Sequence, residues 1–568
     1  MPIAGLIALA AALPAPIPPV PVTPAPSFAA QVSGRAALSD ALFALSAAPK
    51  QSYTATWRFA AFDETGKAQS DFGGRETVSL DRAGGKVSFV ATSAEGKAAT
   101  RYVANGETLL FARLDAGKRT WSHLSQAGGA ASLRNVLLDA DADKMFQTAT
   151  TRTALFGTPG DDSIRFGGTV FTDKDGAIIE QLPTQEENGH AKRVYRRYRL
   201  QAKTGKMASR EEWATWQDAG KPVLLRSYWR ETVTHTAPKF SALTFSVKPA
   251  PDYEEVAPPP SKPAPIPPGP DTCDARARPL LTRWIRATSR MVSLDSRWYV
   301  SQGLQAQTPE SVPVPTEPER EAMYDLLWQR PGRLRLLMTP TAAKRRETPN
   351  LLTETLLAVA DGYKVAIFGG ELLTKKRGEF SISNGSNAQT DSSTGFRQGF
   401  TDAPSASVTG DDNALGYALF RAGAYDYTQM LAFVLWNPQV FLDNAESATY
   451  RGTLALPGGG TAEAITLSVR HSETGERRKG RPGSDVTNQI HTITLFFDAA
   501  TGLPRRLEQT RRYFPTDGKT LLRDTRPNET FAANTDRLLI NRELSAALFV
   551  LPQERVEYFF FKPGTNAR

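Results

Sequence analysis

Chemistry in a chain is sought first where titratable side chains recur at short, fixed spacing. The five histidines, His123, His190, His235, His471 and His491, are scattered. None has a second ligand at metal-like spacing, so no metal centre is expected. His491 shares a strand face with Leu495 and Phe497 and reads as a structural imidazole. Cys273 is the only cysteine; it can close no internal disulfide and reads as an ordinary thiol at a domain start. The acidic pairs Asp161-Asp162, Glu186-Glu187 and Asp411-Asp412 lie in polar stretches. They read as solvated loops rather than as a glycosidase pair. No phosphate loop, dinucleotide fingerprint, nucleophile elbow or zinc-protease helix is present. The expectation is therefore a protein that is not an enzyme, with no cofactor and no nucleic-acid partner.

Basic clusters at Lys344–Arg346, Lys375–Arg377 and Arg477–Arg481 sit at turns. Converging, they would dock on an anionic membrane surface; apart, they are solvated hairpin tips. The formal net charge of +9 is a surplus spread through the chain, which bears first on solubility. The remaining candidates are apolar. Trp57, Phe59, Trp298, Tyr299 and Trp328, with Leu326, Leu334 and Leu336, stand on strand-like segments and would line a ligand cavity or pack a core. The residues by themselves leave both readings open.

The elements that must position them are mostly strands. Tyr53, Ala55, Trp57, Phe59 and Ala61 alternate with polar partners at period two. Turn chemistry at Asp63–Gly66, Gly84-Gly85, Asn105-Gly106 and Asp173–Gly176 separates the strands that follow, which predicts sequential hairpins and an antiparallel sheet. Helical spacing predicts amphipathic helices over Ala36–Ala48 and Ala277–Ser289, with further helices at Ala130–Leu138, Asp143–Phe146, Tyr417–Gly423 and Tyr427–Trp436. The polar run 381–412 reads as a mobile insertion.

A chain of 568 residues exceeds what one core usually serves. The apolar run Ile3–Leu13 has signal-peptide character, so residues 1–30 are read as a signal region with a proline-rich spacer, and the protein as exported to the periplasm or cell envelope. The ten prolines between Pro249 and Pro270 read as a semi-rigid linker, 249–272, between separately folding domains over 31–248 and 273–568. The two halves echo one another. Thr204-Gly205 aligns with Thr501-Gly502, and Arg230-Glu231-Thr232 then falls close to Asn528-Glu529-Thr530, which argues for duplication. In the second copy Asp498 accepts from turn amides and Gly502 closes the hairpin.

The order helix, strand, Arg330-Pro-Gly-Arg-Leu-Arg-Leu336, Ala360-Asp-Gly-Tyr-Lys-Val365, two helices, Phe496-Phe-Asp-Ala-Ala-Thr-Gly-Leu-Pro-Arg-Arg506 and a closing Phe-containing segment resembles the LolA-like superfamily of outer-membrane lipoprotein carriers and their sensor relatives. The resemblance covers 275–560 best and 36–248 more faintly. It implies a mainly β fold with inserted helices (α+β): two tandem half-barrels of curved antiparallel sheet wrapped around helices, each with an apolar cavity. It also implies lipid or lipoprotein as the partner. The chain departs from the carriers in its duplication, its proline linker and its polar insertion, and no individual ligand residue maps across. The alternative is an interaction or sensor module whose cavities are filled by its own side chains.

Overall fold

A computed structural model describes residues 25–126, 133–140, 148–157, 168–258, 272–305, 320–340, 356–369, 445–472, 488–514 and 528–550, with gaps of one to four residues inside some spans, plus short pieces between 390 and 402 and a few single residues. It is mainly β, built on two large, open, curved sheets.

The first sheet holds β1 (Lys50–Phe62), β2 (Ala68–Asp81), β3 (Lys86–Ser93), β4 (Ala99–Asn105), β5 (Thr108–Asp115), β6 (Lys118–Ser125), β7 (Thr169–Thr172), β8 (Ile178–Gln181), β9 (Gln185–Glu187), β10 (His190–Leu200), β11 (Met207–Gln217), β12 (Leu224–Thr236) and β13 (Glu254–Glu255). The second holds β14 (Thr272–Cys273), β15 (Ser293–Gln305), β16 (Arg320–Gln329), β17 (Arg333–Pro340), β18 (Leu356–Asp361) and β19 (Lys364–Gly369). A separate pair, β20 (Thr390–Asp391) and β21 (Phe396–Arg397), precedes its remaining strands β22 (Gly399–Asp402), β23 (Ala445–Ala455), β24 (Thr461–Ser472), β25 (Asn488–Phe497), β26 (Pro504–Phe514) and β27 (Asn528–Ile540).

The strand orders are β13-β6-β5-β4-β3-β2-β1-β12-β11-β10-β8-β7, with β9 beside β10, and β14-β23-β24-β25-β26-β27-β15-β16-β17-β18-β19-β22. Both sheets are wired alike. The first long strand, β1 or β15, lies in the middle and a meander runs outward from it. The chain then crosses to the far edge and meanders back until β12 or β27 closes on the first strand. The turns Gln201–Lys206 and Asp498–Leu503 occupy the same place in the two orders. Each is closed by an amide of its first residue to the carbonyl of its last, at 2.8 Å in both, and each carries its glycine at positive φ, 65° for Gly205 and 74° for Gly502. Each sheet ends one edge on a two-residue parallel strand from either end of the proline-rich stretch: β13 on β6, and β14 on β23. Proline cannot donate within a sheet, but the residues flanking it can cover an edge that would otherwise pair with another chain.

Among the described residues four α-helices lie against the sheets: α1 (Phe28–Ala47), α2 (Leu133–Asp139), α3 (Ala149–Phe156) and α4 (Ala277–Arg290). Helix α1 begins eight residues before Ala36, where Ser27 Oγ accepts from the Ala30 amide at 3.2 Å. It is buried on several sides rather than along one stripe. Leu38 packs with Val170, Ile178 and Tyr198; Leu45 joins the first-sheet core of Tyr53, Val78 and Phe89; Phe43 joins the second-sheet core of Trp284, Trp298 and Trp328. A Cβ on Gly34 would lie 2.5 Å from the Phe171 carbonyl carbon, so glycine is what lets α1 rest on the backbone of β7. Arg35 Nε donates to the Ser289 carbonyl at 2.9 Å, and Asp40 pairs with Arg286 at 2.8 Å and Arg290 at 3.6 Å. Halves expected to fold separately thus share a helix, because one face of α1 completes the core on the other side of the junction.

Other expectations need adjusting. Leu243–Val247, bracketed by Pro238 and Pro249, begins in a turn and passes near β4 and β6, where Ser246 and Val247 carbonyls meet Arg101 and His123. Glu186 and Glu187 lie in β9 rather than in a loop. Part of the insertion, β22, pairs with β19 as an edge strand. The segments 3–13, 143–146, 417–423 and 427–436, the pairs Asp161-Asp162 and Asp411-Asp412, and the three basic clusters lie outside the described residues.

Candidate functional site

The register of the first sheet assembles its inner face, the one that carries α3. Cross-strand pairing sets one row, Phe72–Phe59–Trp229–Glu212–Arg196–Glu180, and beside it a second, Gly74–Trp57–Glu231–Arg210–Tyr198–Ile178. Residues directly opposite on antiparallel strands share a face and touch. The first row therefore runs from an aromatic end into a charged end, and the second passes from Trp57 through Glu231 and Arg210 to Tyr198 and Ile178.

The charged end is closed on itself. Arg196 reaches Glu212 at 2.7 Å and Glu180 at 3.2 Å, Arg210 reaches Glu212 at 2.5 Å, and the Tyr198 hydroxyl donates to Glu180 at 2.8 Å. Burial works against both guanidinium charges. Glu180, Tyr198 and Glu212 outweigh it at Arg196, and Tyr198 and Glu212 do so at Arg210, so both pKa values lie above the ordinary arginine value. Burial also opposes ionisation of Glu212, but Arg210 and Arg196 hold its carboxyl below the usual glutamate range. Two more carboxylates meet the N-terminus of α3. Glu76 accepts from the Thr148 amide at 3.2 Å and hydroxyl at 2.5 Å, and Glu231 accepts from the Ala149 and Thr150 amides at 3.0 and 3.3 Å and from the Thr150 hydroxyl. Helix amides without an internal partner, at the positive end of the helix dipole, are what a buried carboxylate needs. These carboxylates fix charge and seat a helix.

The aromatic end is open. Trp57 and Trp229 stack with ring centroids 5.1 Å apart and planes 6° apart, and Phe72 lies edge-on to Trp57 at 5.9 Å. Phe59 completes the cluster, 5.2 Å from Phe72 and 6.3 Å from Trp229. Phe72 is 50% exposed, and Trp57, Phe59 and Trp229 are half-buried. A Cβ on Gly74 would come within 2.8 Å of the Trp57 indole, so the ring lies across a strand position that has no side chain. Trp57 Nε1 and Trp229 Nε1 are both buried without a hydrogen-bond partner among the described residues.

The second sheet differs. Trp298, Leu326, Trp328, Leu334 and Leu336 are all at most 4% exposed and form one core with Leu281, Trp284 and Ile285 of α4. Tyr299 points to the opposite face, 44% exposed, and donates to Asp536 at 3.1 Å. Of the eight candidates, then, the structure brings Trp57 and Phe59 into an accessible cluster, packs five as core, and sets Tyr299 apart. Trp229 and Phe72 complete the cluster and were missed. The alternation through β12 marks Trp229 as sheet-facing, but only the register shows that it meets Phe59.

Among the described residues no three His, Cys, Asp or Glu side chains are grouped to hold a metal ion, and no helix is long and apolar enough to cross a membrane. His235 Nε2 lies 2.8 Å from the Met207 carbonyl, and burial lowers its pKa. Cys273 is partly buried, which raises its thiol pKa.

No family model and no curated protein matches the chain. Among solved structures, a protein of unknown function from the DUF3598 family of Nostoc punctiforme is similar over 88% of this chain and 98% of its own, with 7% identity and a TM-score of 0.14. A DUF1329 family protein from Desulfovibrio piger is similar over 48% of this chain and 97% of its own, with 8% identity and a TM-score of 0.17. Pseudomonas aeruginosa OccK2 in complex with glucuronate follows, over 86% and 98%, with 8% identity and a TM-score of 0.10. Likenesses this weak assign neither family nor ligand, and what the chain does must be argued from its own residues.

Proposed function

We propose that the chain is a non-enzymatic protein of the cell envelope that holds a lipid, a lipoprotein acyl chain or another apolar ligand on the aromatic floor of its first sheet. The observation that carries this reading is the four-ring cluster of Trp57, Phe59, Phe72 and Trp229, accessible on the inner face where the second sheet has a filled core. Aromatic rings bring large apolar area at low entropic cost, and leaving them in water is unfavourable by ~25 cal/mol per Å². The two idle indole N–H groups suit a ligand with carbonyl or ester oxygens near its apolar part, since a buried unpaired donor costs about 1–3 kcal/mol. The shared wiring of the sheets supports reading 31–248 and 273–568 as duplicated half-barrels joined by 249–272; the export segment at 1–30 and the LolA-like assignment rest on the sequence and its resemblance.

The packed inner face of the second sheet favours a second reading for that half alone, a scaffold or protein-interaction module. Purification from the native envelope, followed by solvent extraction and mass spectrometry, tests the main proposal. Lipid should be recovered with the protein. Its consistent absence, with no uptake of a fluorescent fatty acid, would leave only the interaction reading.

A further inference from the structure

In the first half α1 lies directly on the edge strand β7, with Gly34 against its backbone. The matching helix of the second half, α4, meets the corresponding strands β23 and β24 through Leu280 and Leu281, which share a core with Ala448 and Ile465. Between them is a recess of about 570 Å³, lined by Arg276, Pro279, Leu280, Arg283, Tyr450, Gly452 and Glu463. Two features of the chain make this space. The register of β23 against β24 slips between Tyr450 and Gly452, and Gly452 takes a φ of 86° with open space where a Cβ would be. Such a bulge bends a strand and re-aims its side chains, here at Tyr450. The hairpin glycine Gly502 also leaves room for the Arg283 stem, since a Cβ there would lie 2.9 Å from Arg283 Cγ.

The charges in the recess are loosely held. Arg283 reaches Glu463 at 3.4 Å, the Tyr450 hydroxyl reaches the other oxygen of that carboxylate at 3.4 Å, and Arg283 Nε is buried without a hydrogen-bond partner among the described residues. The Arg276 guanidinium lies 5.6 Å from the centre of the Tyr450 ring. The nearby Asp274 carboxylate is taken up by the Arg276 and Tyr450 amides at 2.9 and 3.3 Å. Two guanidinium groups thus face one lining carboxylate, next to the apolar surface of Pro279, Leu280 and the Tyr450 ring. Guanidinium is suited to carboxylate and phosphate oxygens, and the volume is that of a small-molecule site.

We propose that this recess binds a small amphiphilic anion, a carboxylate or phosphate head carried on a short apolar body, with Arg276 and Arg283 on the head and Leu280 and Tyr450 on the body. The site lies in the half that the proposed lipid floor does not use, and it does not depend on that floor. Calorimetric titration of the full chain with octyl phosphate, inorganic phosphate and the neutral octyl glucoside tests it. Octyl phosphate should bind one equivalent in the recess, and Arg276→Gln, at an exposed position, should weaken it by about tenfold or more, the worth of a charged hydrogen bond. Tyr450→Phe should weaken it less, and Arg113→Gln, at an exposed position of the other half, should leave it unchanged. Inorganic phosphate should bind about tenfold more weakly, for want of the apolar contact. Octyl phosphate binding that is absent, indifferent to Arg276→Gln or displaced by octyl glucoside would overturn the site. Inorganic phosphate binding as tightly as octyl phosphate would overturn the amphiphile and leave a plain anion.

Discussion

Asp498 shows how single side chains set this fold. Its Oδ1 accepts from the Ala500 amide at 3.0 Å, the Thr501 amide at 2.7 Å and the Thr501 hydroxyl at 3.0 Å, holding the turn between β25 and β26. In the matching turn Gln201 Oε1 accepts from the Thr204 hydroxyl at 2.7 Å, so the amide replaces only part of the carboxylate's work. Asp498→Ala should cost on the order of 1 kcal/mol, read as a shift in the denaturation midpoint, and leave ligand binding unchanged. The Glu212 carboxylate makes a different prediction. Its folded pKa lies below the ordinary value of 4.5, so the stability it contributes is fully present above that pH and is lost as the pH falls through the folded pKa. Denaturation midpoints should hold from pH 8 down to about 5 and then decline, and Glu212→Gln should flatten that decline without abolishing it. A decline of the same size in Glu212→Gln would remove Glu212 from the account.

At the scale of elements, α1 decides whether the halves behave as one body. Asp40 and Arg286 are 36% and 49% exposed, and exposed ion pairs contribute about 0–1 kcal/mol. Phe43 is 6% exposed within the second-sheet core, where truncation of an aromatic costs about 3–5 kcal/mol. Arg286→Ala should therefore be nearly silent in thermal unfolding, while Phe43→Ala should destabilise the second half most, although the residue precedes the first strand of the first half. Equal effects of the two substitutions would mean that the charges, and not the ring, join the halves. This role was not legible in the sequence. Helical spacing predicts that α1 exists, but a second buried face looks, in one dimension, like a scatter of Ala, Ser and Gly around the expected stripe.

Across the whole molecule, legibility followed the range of the interaction. Hairpin turns at Asp63, Asp173 and Asp498 are local, their carboxylates bonding amides two to four residues on, and their residue types announce them. The shared wiring of the two sheets was foreshadowed for the same reason, through the Thr-Gly turns. The candidate site was half legible. Trp57 and Phe59 were marked by strand alternation, but the same alternation marked Trp298, Leu326 and Trp328, and only α4 lying over the latter three separates core from floor. Trp229 and Phe72 join through β12 and β2 pairing on β1, a register that no short motif encodes.

If the accessible rings of the first sheet are a binding floor, titration of the full chain with a fluorescent fatty acid, reading energy transfer from tryptophan in wild type and Phe72→Arg, will show it. Phe72 is half exposed, so the substitution should leave the thermal midpoint unchanged while placing a charge among the rings. Wild type should bind saturably and the variant about tenfold or more weakly, as expected when one ring's apolar contact is removed. No binding by wild type, or equal binding by a folded Phe72→Arg, would contradict a binding floor.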